Sequence, residues 1–164
     1  MSDFSKHPAY SRLYAAPGAD EPAAFFPEKI PHADQEHLDQ LESQSVFLIR
    51  EAFHHFKNIC MPWSMGKDSN VLIWLSKKAF AGHIPYPLLH IDTTYEFPEM
   101  IEYREWAVTQ YALKLIVKIN EDARAGSGAY AARGPIGYDT VDPVTVTHEL
   151  KTVALQQVMA EHKW

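Results

Sequence analysis

Ser64-Met65-Gly66-Lys67-Asp68-Ser69 separates a short apolar run, Asn58-Ile59-Cys60-Met61-Pro62-Trp63, from a helical pattern carrying Val71, Leu72, Leu75 and Ala79 on one face. A polar turn between a buried-type strand and a helix is where an α/β sheet collects anions. The first amides of a helix have no partner within it, its dipole presents positive charge there, and ligands gather at the carboxyl ends of parallel strands. Gly66 is expected to make the tight turn and to let a ligand approach the backbone closely. Lys67 adds a full positive charge, and the Ser64 and Ser69 hydroxyls add donors. Asp68 suits either a helix cap or a magnesium ion held on phosphates. The same six residues also fit a plain strand-to-helix turn with a serine or aspartate cap. Two other phosphate loops are excluded by spacing: the two glycines of a Walker loop and the three of a dinucleotide fingerprint are both missing.

Outward from this stretch, local patterns alternate. Upstream, Leu38, Leu41, Ser45, Leu48, Ile49, Ala52, Phe53 and Phe56 recur at three- and four-residue steps, with Asp34 as a candidate N-cap. Pro62 is awkward at the end of the first strand, because it cannot donate a ladder hydrogen bond, so irregularity is expected there. Downstream, Lys67 to Phe80 reads as a helix stopped by Gly82, and Pro87 to Asp92 as a second strand. Pro98 and Glu99 open a helix through Tyr111, and Leu115 to Ile119 is a third strand. Helix and strand in strict alternation imply a parallel sheet with right-handed crossovers and helices on both faces. Asn120 to Pro143 reads as a long loop and His148 to Lys163 as a last helix. Residues 1–33 hold Pro8, Pro17, Pro22, Pro27 and Pro31, too dense for regular structure, and read as an extended arm ahead of a nucleotide-binding domain over 34–164.

Composition narrows the function. The chain has 164 residues, with 15 Lys and Arg against 21 Asp and Glu for a formal charge of −6, which argues against phosphate-led nucleic-acid binding. Cys60 is the single cysteine, so no internal disulfide and no cysteine-based zinc or iron–sulfur centre can form within the chain. The nine histidines include no His-x-x-x-His pair, and no zinc site is expected. The N-terminus lacks the apolar core of a signal peptide and no run reaches membrane-spanning length, as in a soluble cytoplasmic protein. The sequence halts at Trp164 inside a helical pattern without a terminator, as in a truncated chain whose sheet is incomplete.

Ser64-Met65-Gly66-Lys67-Asp68-Ser69 resembles the pyrophosphate-binding PP-loop of the adenine nucleotide α-hydrolase-like superfamily. Leu41-Glu42-Ser43-Gln44-Ser45 with Ile49-Arg50-Glu51, Lys77-Lys78-Ala79-Phe80, Ile84 to Thr93, Glu99 to Arg104, Leu115-Ile116-Val117 and Lys151-Thr152 continue the likeness in order. Together they are similar to the small catalytic subunits of heterodimeric bacterial sulfate adenylyltransferases, within the phosphoadenylylsulfate reductase-like group. The likeness runs from about Leu38 to Leu155. Met65 stands where glycine is commonest. Thr94 stands where the group has glycine after Asp-Thr, so that turn is expected to differ. Members of the group run further and carry an Arg-rich segment that residues 1–164 lack.

The resemblance implies a Rossmann-like fold and the reaction of ATP with sulfate to adenylyl sulfate and pyrophosphate, with magnesium carried on the ATP. Ser64, Met65, Gly66, Lys67, Asp68 and Ser69 would hold the pyrophosphate. Lys67, Asp68 and Lys151 would act at the reacting phosphate, and Asp92 with Thr93 would face the adenosine half. Taken alone, Asp92 also fits a solvated strand-end acid, and Lys151 a surface lysine. A GTPase large subunit is the implied partner, and a homo-oligomer is possible. The competing readings are a phosphoadenylylsulfate reductase-like enzyme, whose chemistry needs a thiol, and a non-catalytic ATP-binding paralogue or fragment.

Overall fold

The computed structural model describes residues 32–164. Residues 1–31, nearly all of the expected proline-rich arm, lie outside the described residues. Helix α1 (His32–His55) is followed by strand β1 (Met61–Pro62), helix α2 (Lys67–Ala79), strand β2 (Leu88–Ile91), helix α3 (Pro98–Tyr111) and strand β3 (Leu115–Lys118). Helix α4 (Glu121–Ala125), a 3₁₀ turn at Gly128–Tyr130 and helix α5 (Pro143–Thr147) come next. A π-helical turn (His148–Thr152) then leads into helix α6 (Val153–His162). The strands lie in the order β1-β2-β3, all parallel, with Met61 opposite Leu88 and Leu88 opposite Leu115. This is the α/β arrangement that the alternating pattern implies.

Pro62 fits because bonding sides alternate along a strand. Met61 N–H donates to Pro87 O at 3.0 Å and Trp63 N–H to Leu89 O at 2.8 Å, so the nitrogen of Pro62 faces away from β2. The strand is therefore regular at its end, contrary to expectation. It is instead short at its start, where Asn58, Ile59 and Cys60 run outside the ladder.

The main core joins Met61, Trp63 and Leu88 of the sheet region to Ile73 of α2 and to Ala107 and Tyr111 of α3. Leu89 points to the opposite face by strand alternation and is 1% exposed, so both faces of the central strand are covered. Helix α6 packs against β3, and α1 packs along α2, where Arg50 Nε donates to Ala79 O at 2.7 Å. The segment expected to be a long loop from Asn120 is more ordered than its glycines suggest. Ala123, Tyr130, Ile136, Val146 and Leu150 form a second small core there. Asn120 anchors this segment at the end of β3: its Oδ1 caps α4 at Ala123 N–H, and its Nδ2 donates to Glu149 O at 2.9 Å. Among the described residues no helix is long and apolar enough to cross a membrane.

Candidate functional site

The loop Ser64–Ser69 leaves the carboxyl end of β1 and enters the first turn of α2, as the sequence implies. Its backbone is not bent where expected. Gly66 is extended, at φ −73° and ψ 168°, and the left-handed residue is Met65, at φ +60°. The tight turn therefore falls on Met65, at a cost of about 1 kcal/mol for a residue with a β-carbon. Burial secures it: the Met65 side chain is 8% exposed and belongs to the main core. A β-carbon at Gly66 would approach only the Ser64 hydroxyl, at 3.4 Å, so glycine there keeps the loop surface bare rather than permitting a fold.

The amides at the helix start are uncovered. No side chain caps α2, and among the described residues nothing accepts from the N–H groups of Gly66, Lys67 or Asp68. The first engaged amide is that of Asn70, which donates to Gly66 O at 3.0 Å. Lys67 and Asp68 are exposed, and neither has an ion-pair partner among the described residues. The two serines brace the loop from within, with their hydroxyls 3.2 Å apart and Ser69 Oγ donating to Gly66 O at 3.0 Å. Asp68 is thus not a cap, and the plain capped turn is not what forms. Open amides, a helix dipole and a free ammonium make a place where an anion is stabilised.

Asp92 and Thr93 stand at the carboxyl end of the neighbouring strand, where parallel-sheet ligands gather. Both are already engaged. Arg104 Nη1 lies 3.2 Å from Asp92 Oδ2, and Thr94 N–H donates to Asp92 Oδ1 at 2.8 Å. Burial pushes the Asp92 carboxyl up, but the Thr94 amide and Arg104 outweigh it and hold the group below its ordinary value. Thr93 donates from both its amide and its hydroxyl to Glu96 Oε1, each at 3.1 Å. The turn itself corrects an expectation. Thr94 sits at φ +68°, the region that favours glycine, so this turn keeps a glycine-type backbone although a β-branched residue occupies it.

Lys151 is exposed on the π-helical turn, and no hydrogen bond or ion pair joins it to the loop among the described residues. Cys60 precedes β1, at the end opposite the loop, and burial pushes its thiol up. Four residues of extended chain place it about 13 Å from Ser64. Among the described residues no group of three or more His, Cys, Asp or Glu is placed to hold a metal ion.

Sequence reasoning missed the residues behind the loop. His90 is buried at 3% exposed, with Nδ1 3.0 Å from Trp63 O. Trp63 Nε1 donates to Asn70 Oδ1 at 2.9 Å, and Asn70 Nδ2 donates to Met65 O at 3.1 Å. These contacts join a strand end to a helix turn and a second strand, and nothing in local spacing announces them.

Fold and loop together define a parallel α/β domain with a row of uncovered amides at the first strand–helix junction. The model of the phosphoadenosine phosphosulfate reductase domain matches residues 58–164, and the chain belongs to that family. Curated relatives share substantial identity. A sulfate adenylyltransferase subunit 2 from Rhodopseudomonas palustris strain BisA53 is 39% identical over 167 residues, covering 99% of this chain and 46% of the relative. One of the same designation from Hahella chejuensis is 40% identical over 129 residues, covering 78% of this chain and 40% of the relative. The chain thus spans less than half the length of these relatives. Among solved structures, a phosphoadenylyl-sulfate reductase from Candida auris, crystallised as a phosphate complex, superposes with a TM-score of 0.58 at 19% identity. That superposition covers 79% of this chain and 64% of the other, and it supports the fold.

Proposed function

We propose that this chain supplies the nucleotide-binding part of a sulfate adenylyltransferase, which joins ATP and sulfate to give adenylyl sulfate and pyrophosphate. The observation that carries the reading is the start of α2, where the four successive amides of Gly66 to Ser69 and the Lys67 ammonium have no partner among the described residues. The designation of the curated relatives gives that cradle its substrate.

In this reading a sulfate oxygen attacks the α-phosphorus of ATP, and the pyrophosphate leaves into the loop formed by Ser64 to Ser69. Most of the catalysis is positioning and charge stabilisation, since charge spreads over the phosphoryl oxygens in the transition state. The bare amides and Lys67 balance the charge on the leaving group. Asp68, an exposed carboxylate beside the loop, would help hold a magnesium ion carried on the ATP phosphates, since such ions take one or two protein carboxylates alongside phosphate oxygens. Asp92 keeps acceptor capacity for a ribose hydroxyl beyond its bonds to Arg104 and Thr94, and Thr93 lines the same strand end. Lys151 approaches the anion from the π-helical turn once substrate is bound. Adenylyl sulfate formation is uphill, and a GTPase large subunit is the partner that drives it. The whole assembly works in the cytoplasm.

Two other readings have an observation behind them. The matched family model is described as a reductase domain, yet Cys60 is the single thiol and lies at the wrong end of β1. An ATP-binding module without turnover rests on the same open amides and Lys67 at the start of α2, which would hold a nucleotide whether or not it reacts. Pyrophosphate release measured with and without sulfate separates all three. Sulfate-dependent release is expected. Tight ATP binding without release supports the module, and thiol-dependent sulfite formation supports the reductase.

A further inference from the structure

Met65 holds a left-handed backbone that its side chain does not favour, in the centre of the loop, and four hydrogen bonds surround it. His90 Nδ1 meets Trp63 O at 3.0 Å; a carbonyl only accepts, so Nδ1 carries the hydrogen and His90 donates. Trp63 Nε1 donates to Asn70 Oδ1 at 2.9 Å, and Asn70 Nδ2 donates to Met65 O at 3.1 Å. The Asn70 backbone amide donates to Gly66 O at 3.0 Å. One asparagine thus holds two successive carbonyls, Met65 O through its side chain and Gly66 O through its backbone amide, and its own amide oxygen is fixed by the indole of the residue preceding the loop.

We propose that Asn70 and Trp63 are positioning residues for the anion cradle: the Trp63–Asn70–Met65 bridge holds Met65 left-handed and so aims the amides of Gly66 and Lys67 outward. This rests on the reading of the loop as a pyrophosphate site. Turning the Met65 carbonyl toward Asn70 fixes the plane of the following peptide, and with it the direction of the Gly66 N–H. Without the bridge only the buried Met65 side chain opposes rotation toward the right-handed region that methionine prefers, which would carry that N–H away from the ligand. Glycine at position 65 would occupy the left-handed region without such help. Asn70 therefore compensates for the absence of glycine there. His90 completes the anchor at the other end by fixing the Trp63 carbonyl from the adjacent strand.

The test uses the full chain, with ATP and inorganic pyrophosphate as probes and calorimetry as readout. Asn70→Asp keeps an acceptor for the Trp63 indole but removes the donor to Met65 O, and Asn70→Ala removes both. Each is expected to weaken binding about tenfold, the scale of one or two lost hydrogen bonds. Adding Met65→Gly to Asn70→Ala is expected to restore part of the lost affinity in the folded protein, because glycine holds the turn unaided, while a thermal melt reads separately the stability lost with the buried Met65 side chain. The indole N–H resonance of Trp63, assigned by its disappearance in Trp63→Phe, reports the bridge without any ligand and is expected to shift in Asn70→Ala. Parent-level affinity in folded Asn70→Ala, or strictly additive losses in the double variant, overturns the proposal. Failure of the parent chain to bind either probe removes the site, and the positioning role with it. A parent that binds while Asn70→Ala binds equally removes the bridge alone.

Discussion

Arg104 Nη1 lies 3.2 Å from Asp92 Oδ2 across a gap of twelve residues, with the two side chains only 11% and 15% exposed. The pair fastens α3 to the carboxyl end of β2, beside the loop that leaves β1. A charged hydrogen bond in so sheltered a place depends on both partners, because removing one leaves the other desolvated.

The pair sets a pH dependence. The Asp92 carboxyl is held below its ordinary value, so the charged form is favoured in the folded chain. Its contribution to stability is fully present above the unfolded carboxylate value of about 3.9 and is lost as pH falls through the lower folded value. Arg104→Met should return the Asp92 midpoint upward, since burial then opposes only the Thr94 amide and weaker neighbours. A carbon-13 titration of the carboxyl checks this, and an unmoved midpoint would show that Arg104 is not what lowers it.

Lys67→Ala should weaken ATP binding by about 1–3 kcal/mol, the range for losing a charge-assisted contact. The fold should be untouched, because Lys67 is exposed and has no ion-pair partner among the described residues. Calorimetry reads the first effect and a thermal melt the second. Unchanged affinity counts against the loop as the anion site.

Thr94→Gly should stabilise the protein by about 0.5–1 kcal/mol. The left-handed strain at φ +68° disappears, partly offset by the greater freedom of glycine in the unfolded chain. The bond from the Thr94 amide to Asp92 survives, since it uses the backbone. Urea unfolding measures the change; a loss of stability would mean that the threonine side chain contributes more than its strain costs.

Gly126→Ala should destabilise by about 2–3 kcal/mol. The glycine is at φ +65°, and a β-carbon there would lie 2.4 Å from Pro135 N, inside backbone rather than against a flexible side chain. Hydrogen exchange should rise first in the small core around Tyr130 and Leu150. Protection equal to the parent's would contradict the packing of Gly126 against Pro135.

Cys60→Ala should leave sulfate-dependent pyrophosphate release unchanged, because the thiol lies beyond the far end of β1 from the loop. Activity that vanished in this variant while ATP binding persisted would move the chemistry toward a thiol mechanism.

Much of the architecture was legible in the residues themselves. Period-3.6 and continuous apolar runs are local, so the order of helices and strands from Leu38 to Ile119 could be read directly, and Pro98 does open α3. The junction between Trp63 and Lys67 could be located for the same reason: an apolar run, a polar turn and a helical stripe are written in adjacent positions. The second small core was less legible. Its glycines and prolines suggested a loop, whereas its order comes from Asn120 and Glu149, which are joined across 29 residues.

The succession of helices and strands along the chain, and the polar turn between the first strand and the helix after it, were thus determined by the sequence alone, because each follows from side chains within a few positions of one another. Only the tertiary structure decided that Met65, and not Gly66, takes the bend, that Asn70 and Trp63 hold it there, and that Arg104 occupies one side of Asp92. The physical reason is that backbone conformation at a strained position is set by the difference between local preference and the contacts opposing it. Those contacts come from a buried methionine side chain, a neighbouring strand and a helix whose approach no linear pattern records.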